Sequence, residues 1–125
     1  MANVLIAEDE EDLALLWRSA LEDAGHAVDV VHDGATAVQA LQGKTYDVVI
    51  VDFVMPEKGG LVVSGMARVF QSHPHVILVS GRLPQVSSVD PADIAKQIGV
   101  AKVLPKPVDV DRLLAEVDRE TELGR

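Results

Sequence analysis

Five residues far apart in the chain have the types needed to hold a hard cation and a phosphoryl group side by side: Glu8, Asp9, Asp52, Ser80 and Lys106. Carboxylates brought within a few ångströms of one another are unfavourable unless a cation compensates them. Oxygen ligands with no nitrogen or sulfur partner suit Mg2+, which keeps several waters and takes one or two carboxylates plus phosphate oxygens. An ammonium and a hydroxyl at the same point supply the charge stabilisation on which phosphoryl transfer depends. In such an arrangement Asp52 is the nucleophile and forms an acyl phosphate. Taken singly the signals are weak, since acidic pairs after strands are common and Lys106-Pro107 alone marks only a turn. Their joint order along the chain is what carries weight.

That order is set by the elements preceding them. Short apolar runs lead into each position: Val4-Leu5-Ile6, Val48-Val49-Ile50-Val51, Val76-Ile77-Leu78-Val79 and Val103-Leu104. The hydrophobic period switches five times between such runs and helical spacing, which predicts βαβ units and an α/β fold, a doubly wound (βα)5 parallel sheet. In such a sheet the carboxyl ends of the strands share one edge, where ligands bind. Strands are expected over 3–7, 27–31, 47–52, up to Ser80, and 101–104.

The first helix should place Leu13, Leu16, Trp17, Ala20, Leu21 and Ala24 on one face and end at Gly25. A second, after a turn at Asp33-Gly34, carries Ala37, Val38, Ala40 and Leu41 and closes at Gly43. A third is expected over 61–71 with Val62, Met66, Val69 and Phe70 inward, started by a turn at Gly59-Gly60. A short helix over 91–98 opens on Pro91. The last, over 108–121, turns Val110, Leu113, Leu114 and Val117 inward, with Asp109 or Asp111 serving its first turn. The stretch from Phe53 to Gly60 and the long connection from Gly81 to Pro91 are expected to be loops.

Composition narrows the class. The chain has 125 residues, 48% of them apolar, which suits one domain with one good core. No apolar run is long enough to cross a bilayer, so no membrane partner is expected. Without cysteine there is no disulfide or thiolate metal site, and no basic-then-apolar leader is visible, so a cytoplasmic location is expected. A net charge of −9 disfavours direct nucleic-acid binding. The four histidines are expected to be solvated, and Trp17 and Tyr46 to be packing residues.

Over essentially its whole length the pattern resembles the receiver domain of two-component response regulators. Glu8-Asp9 matches the acidic pair of that family, Asp52-Phe53-Val54-Met55-Pro56 with Gly60 its Asp-x-x-Met-Pro segment and later glycine, Ser80-Gly81 its hydroxyl and small residue, and Lys106-Pro107 its Lys-Pro. The resemblance implies a flavodoxin-like sheet of strand order 2-1-3-4-5 and a cis Lys106-Pro107 bond. It implies that Asp52 accepts phosphate from a phosphohistidine on a sensor histidine kinase or histidine phosphotransfer protein. Asp9, Asp52 and the Val54 carbonyl would ligate Mg2+, Glu8 would act through water, and Ser80 and Lys106 would contact the phosphoryl oxygens. The output would be altered contacts with a downstream protein. Residues 1–125 are expected to form a single receiver domain with no output domain, either a stand-alone regulator or a piece of a hybrid kinase.

The chain departs from the family pattern at three places. Glu8 stands where Asp is commoner, Val103 stands where Tyr or Phe usually acts as a rotating switch, and the stretch from Ser80 to Lys106 is a few residues longer. The expectation is that the 81–91 connection, rather than an aromatic rotamer, reorganises on phosphorylation. The resemblance implies that Arg82 and Val54 would influence how long the phosphoryl group survives, because in that family their positions flank the route of attacking water. Two rivals fare worse. A haloacid-dehalogenase-type phosphatase needs a second Asp where Val54 stands, and a flavin-binding flavodoxin needs a hydroxyl-rich loop where Glu8-Asp9-Glu10-Glu11-Asp12 would repel phosphate.

Overall fold

The structure is a computed structural model describing residues 2–53, 59–71, 75–80, 95–96 and 99–123. Five parallel strands, β1 (Asn3–Ala7), β2 (Ala27–Val31), β3 (Val48–Asp52), β4 (His75–Ser80) and β5 (Lys102–Pro105), form one sheet in the order β2-β1-β3-β4-β5. Helices α1 (Glu11–Asp23), α2 (Gly34–Gly43) and α3 (Gly60–Phe70) connect the early strands, and a C-terminal helix (Val110–Leu123) follows β5. The fold is the doubly wound, flavodoxin-like α/β sheet expected, and the Lys106–Pro107 peptide is cis.

Alternation along the strands divides the core in two. Val4, Ile6, Ile50, Ile77 and Val79 face Trp17 and Leu21 of α1 and Leu113 and Val117 of the C-terminal helix. Leu5, Val49, Val51 and Leu78 face Ala37 and Leu41 of α2 and Val63 and Ala67 of α3. Continuous apolar runs in β3 and β4 follow from burial on both faces, and each fully buried aliphatic side chain contributes roughly 1.5–3 kcal/mol. Val103 is buried in the second half-core beside Ala95.

The strands match expectation within a residue, but two helix faces do not. In α3 the inward residues are Gly60, Val63, Ser64 and Ala67, while Val62, Val69 and Phe70 point to solvent, Val69 with 71% of its surface exposed. The first turn of α3 lies against the Asp52–Phe53 backbone at Gly60, which sets this face inward. In α1, Ala14, Trp17 and Leu21 are buried and Leu16 and Ala24 are exposed. Asp33-Gly34 is the start of α2 rather than a separate turn, with the Asp33 carboxylate accepting from the Thr36 amide at 2.7 Å. Asp109 serves the last helix, its carboxylate accepting from the Asp111 amide at 2.9 Å. Gly25, at φ 96°, terminates α1. Most of the expected 91–98 helix lies outside the described residues, as do 54–58 of the loop before α3, the 81–91 connection with Arg82, and His73.

The histidines are less solvated than expected. His26 is buried, its Nδ1 accepting from the Ala2 amide at 3.0 Å and its Nε2 3.0 Å from Asp118 Oδ1. His75 Nδ1 lies 3.1 Å from Glu120 Oε2. Both carboxylates come from the C-terminal helix, so sequence distance hides the partners. Trp17 and Tyr46 are core residues as expected, and the Tyr46 hydroxyl donates to Asp29 Oδ2 at 2.7 Å.

Candidate phosphoacceptor and cation site

Parallel ladders deliver the chemistry-bearing residues to one edge. β1 ends at Ala7 opposite Val51 of β3, so Glu8 and Asp52 emerge as neighbours, and Asp52 is in register with Val79 of β4. Beyond the strand ends the ladders run one step further: Glu8 donates its amide to Val31, Phe53 to Val79 and Lys106 to Ser80, at 3.1, 2.8 and 2.9 Å. These bonds fix the backbone from which the side chains project.

Carboxylate oxygens of Glu8, Asp9 and Asp52 lie within 4.8 Å of one another. Glu8 is fully buried and Asp52 nearly so, whereas Asp9 is exposed. Lys106 Nζ sits 2.7 Å from Glu8 Oε1 and 3.0 Å from Asp52 Oδ2, bridging the two buried acids. Ser80 is buried at the end of β4, in register with Pro105 next to Lys106. Four of the predicted residues, Glu8, Asp9, Asp52 and Lys106, are therefore brought together, and Ser80 lies at the adjoining strand end. Val54 is outside the described residues.

The electrostatics of the cluster are set first by burial. Burial pushes the Glu8 carboxyl up to about 7, against the pull of Lys106 and the Glu10 amide, and the neighbouring Asp9 and Asp52 add to the rise. For Lys106, burial alone would lower the pKa, but its partners Glu8 and Asp52 more than offset this and hold it above the ordinary lysine value. One ammonium thus serves two buried acids while a third acid stands exposed beside them. The three hard oxygen donors fit a divalent ion of the Mg2+ type.

Two contributors to the site were not foreseen. The Glu10 amide donates to Glu8 Oε2 at 3.1 Å, and the His32 ring lies against the Glu8 carbonyl oxygen, Nδ1 to O 3.0 Å. Acidic spacing could not reveal either, because one is a main-chain group and the other lies just past the end of β2. Gly60, expected as a turn residue, has a sharper role. A Cβ there would lie 2.7 Å from Phe53 Cα and closer still to the Asp52 carbonyl oxygen, so only glycine lets α3 start against the Asp52 peptide.

The profile of the response regulator receiver domain matches residues 4–118. This chain belongs to the receiver family. It is 29% identical over 119 residues to response regulator ArlR of Staphylococcus saprophyticus, covering 94% of this chain and 51% of that protein. A shorter stretch, 71 residues at 35% identity, matches probable histidine kinase 1 of Oryza sativa, covering 57% of this chain and 7% of the kinase. The chain spans about half the length of the response regulators it matches. Among solved structures, the receiver domain of Francisella response regulator 1452 superposes with a TM-score of 0.86 at 23% identity, with both chains fully covered. Response regulator TrrA of Thermotoga maritima, in complex with Mg(2+)-BeF, superposes at 0.79 with 24% identity, covering 96% of this chain and 99% of that one. Both share the receiver fold. Among the described residues no helix is long and apolar enough to cross a membrane.

Proposed function

We propose that residues 1–125 work as one phosphoacceptor switch in the cytoplasm, with Asp52 as the residue that takes the phosphoryl group. The observation that carries this reading is the convergence of Glu8, Asp9 and Asp52 around a single ammonium, that of Lys106. An Asp52 oxygen attacks phosphorus in line with the leaving group. The P–N bond of a donor phosphohistidine breaks, and the imidazole departs with the electron pair and takes a proton. The donor is a sensor histidine kinase or a histidine phosphotransfer protein.

Asp9 and Asp52, with the Val54 carbonyl, would hold Mg2+ directly and Glu8 through water. When bound, the ion supplies neutralisation of the phosphoryl oxygens. Lys106, already 3.0 Å from Asp52, holds a positive charge where a transferred phosphoryl would sit, and the Ser80 hydroxyl would contact the same oxygens. The chain's chemistry is confined to gaining and losing its own phosphoryl group, so it is a switch rather than a turnover enzyme. A phosphoryl group adds roughly two negative charges near pH 7. That change alters contacts with a downstream protein; with Val103 buried where an aromatic switch is usual, the 81–91 connection carries the response.

The test is intact mass after incubation with phosphoramidate, with and without Mg2+, for wild type and Asp52→Asn. One added phosphate, dependent on Mg2+ and absent from the variant, is the expected result. Equal labelling of both proteins would remove Asp52 from its role.

A further inference from the structure

Glu8 stands one residue past the end of β1, and its main chain is held from both sides. Its amide donates to the Val31 carbonyl at 3.1 Å, extending a β1–β2 ladder in which Ala7 pairs with Val31. In a parallel ladder carried one step further, the Glu8 carbonyl would accept from the amide of Asp33. Asp33 has by then become the cap of α2, with its carboxylate on the Thr36 amide. The acceptor is met by a side chain instead, His32 Nδ1 at 3.0 Å. A carbonyl oxygen can only accept, so Nδ1 carries the hydrogen.

We propose that His32 is a positioning residue for the cation site: its ring N–H fixes the peptide plane between Glu8 and Asp9, and with it the direction in which Asp9 leaves the chain. The inference rests on the reading of the site given above and adds to it a residue outside the acidic set. Glu8 and Asp9 depend on that peptide to different degrees. The Glu8 carboxylate is buried and tied to Lys106 and to the Glu10 amide, so packing holds it in any case. Asp9 is exposed, and the orientation of the preceding peptide decides whether its oxygens stay near Asp52. Losing the ring donor frees the carbonyl to turn toward water, which costs ordering of the site and leaves the fold intact, since His32 is itself exposed. Groups that orient metal ligands from outside typically govern affinity by 10–100-fold. For a contact that acts through the backbone, a loss of about three- to tenfold is expected, at or below the lower end of that range.

Asparagine separates this role from simple bulk. Its side-chain amide nitrogen is the same number of bonds from Cα as His Nδ1, so His32→Asn keeps the donor and discards the ring, whereas His32→Ala discards both. The experiment is calorimetric titration of Mg2+ into the unphosphorylated protein for wild type, His32→Ala and His32→Asn, followed by phosphoramidate labelling rates across a Mg2+ series. The proposal expects His32→Ala to bind Mg2+ three- to tenfold more weakly and His32→Asn to stay within about twofold of wild type. It also expects the labelling rate of His32→Ala to return to the wild-type value at saturating Mg2+. Equal affinity for wild type and His32→Ala, or a His32→Asn variant as weak as His32→Ala, overturns it. A wild-type protein that takes up no Mg2+ at all overturns the reading of the site, a distinct result, and this inference with it.

Discussion

The two edges of the sheet handle charge in opposite ways. At the amino edge the acids and histidines are matched: His26 lies between the Ala2 amide and Asp118, His75 meets Glu120, and Asp47 Oδ2 accepts from the Asn3 amide at 2.8 Å. At the carboxyl edge two buried acids share Lys106, a third acid stands beside them, and Glu8 is pushed up to about 7. The first edge contributes stability. The second withholds it, because burial of Glu8 disfavours its charged form. The lesson is that two buried acids sharing one ammonium at a strand-end edge, with a third acid beside them, mark where the chemistry is.

The comparison can be broken or sharpened by variants at each edge. The largest expected effect is at the amino edge, where His26→Ala leaves a cavity and unpaired groups and should cost about 2–3 kcal/mol in urea unfolding, with Mg2+ affinity unchanged. Lys106→Met should cost about 2 kcal/mol without Mg2+ at pH 8, because it leaves two buried acids without their cation. Added Mg2+ should restore more stability to that variant than to wild type, read as a larger rise in melting temperature.

Glu8→Gln tests the sign of the imbalance. The folded chain binds a proton on Glu8 more tightly than the unfolded chain does, since its pKa rises from 4.5 to about 7. Stability is therefore fullest below pH 4.5 on this group's account and falls as pH rises through 7. Glu8→Gln should be more stable than wild type at pH 8 by on the order of 1 kcal/mol and gain nothing at pH 4. Wild-type Mg2+ affinity should rise from pH 6 to pH 8 as the proton leaves Glu8. The smallest effect belongs to an exposed pair outside both clusters. Lys44→Ala removes the amine 2.9 Å from Asp29, an exposed pair worth about 0.5 kcal/mol.

Much of this architecture could be read from the chain because buried strands leave unbroken apolar runs, and because Glu8, Asp52, Ser80 and Lys106 sit at or just past their ends. Helix faces were less readable. In α3 apolar residues occur nearly all round, so period alone favoured Val62, Val69 and Phe70, while the close packing that selects Val63, Ser64 and Ala67 is a tertiary fact. His26 was misjudged for a similar reason, its partner Asp118 lying 92 residues away. At the site itself the acids and lysine were evident, but the sharing of Lys106 between Glu8 and Asp52, the Gly60 contact and the His32 bond depend on strand register and backbone approach, which residue types do not encode.

The central claim is that Asp52, set among Glu8, Asp9 and Lys106, is the carboxylate that becomes phosphorylated. Borohydride reduction after phosphoramidate treatment converts an aspartyl phosphate to homoserine, which peptide mass mapping locates. Homoserine at position 52, formed only with Mg2+ present, is the predicted result; reduction at Asp9 or at another aspartate, or none anywhere, would contradict the account.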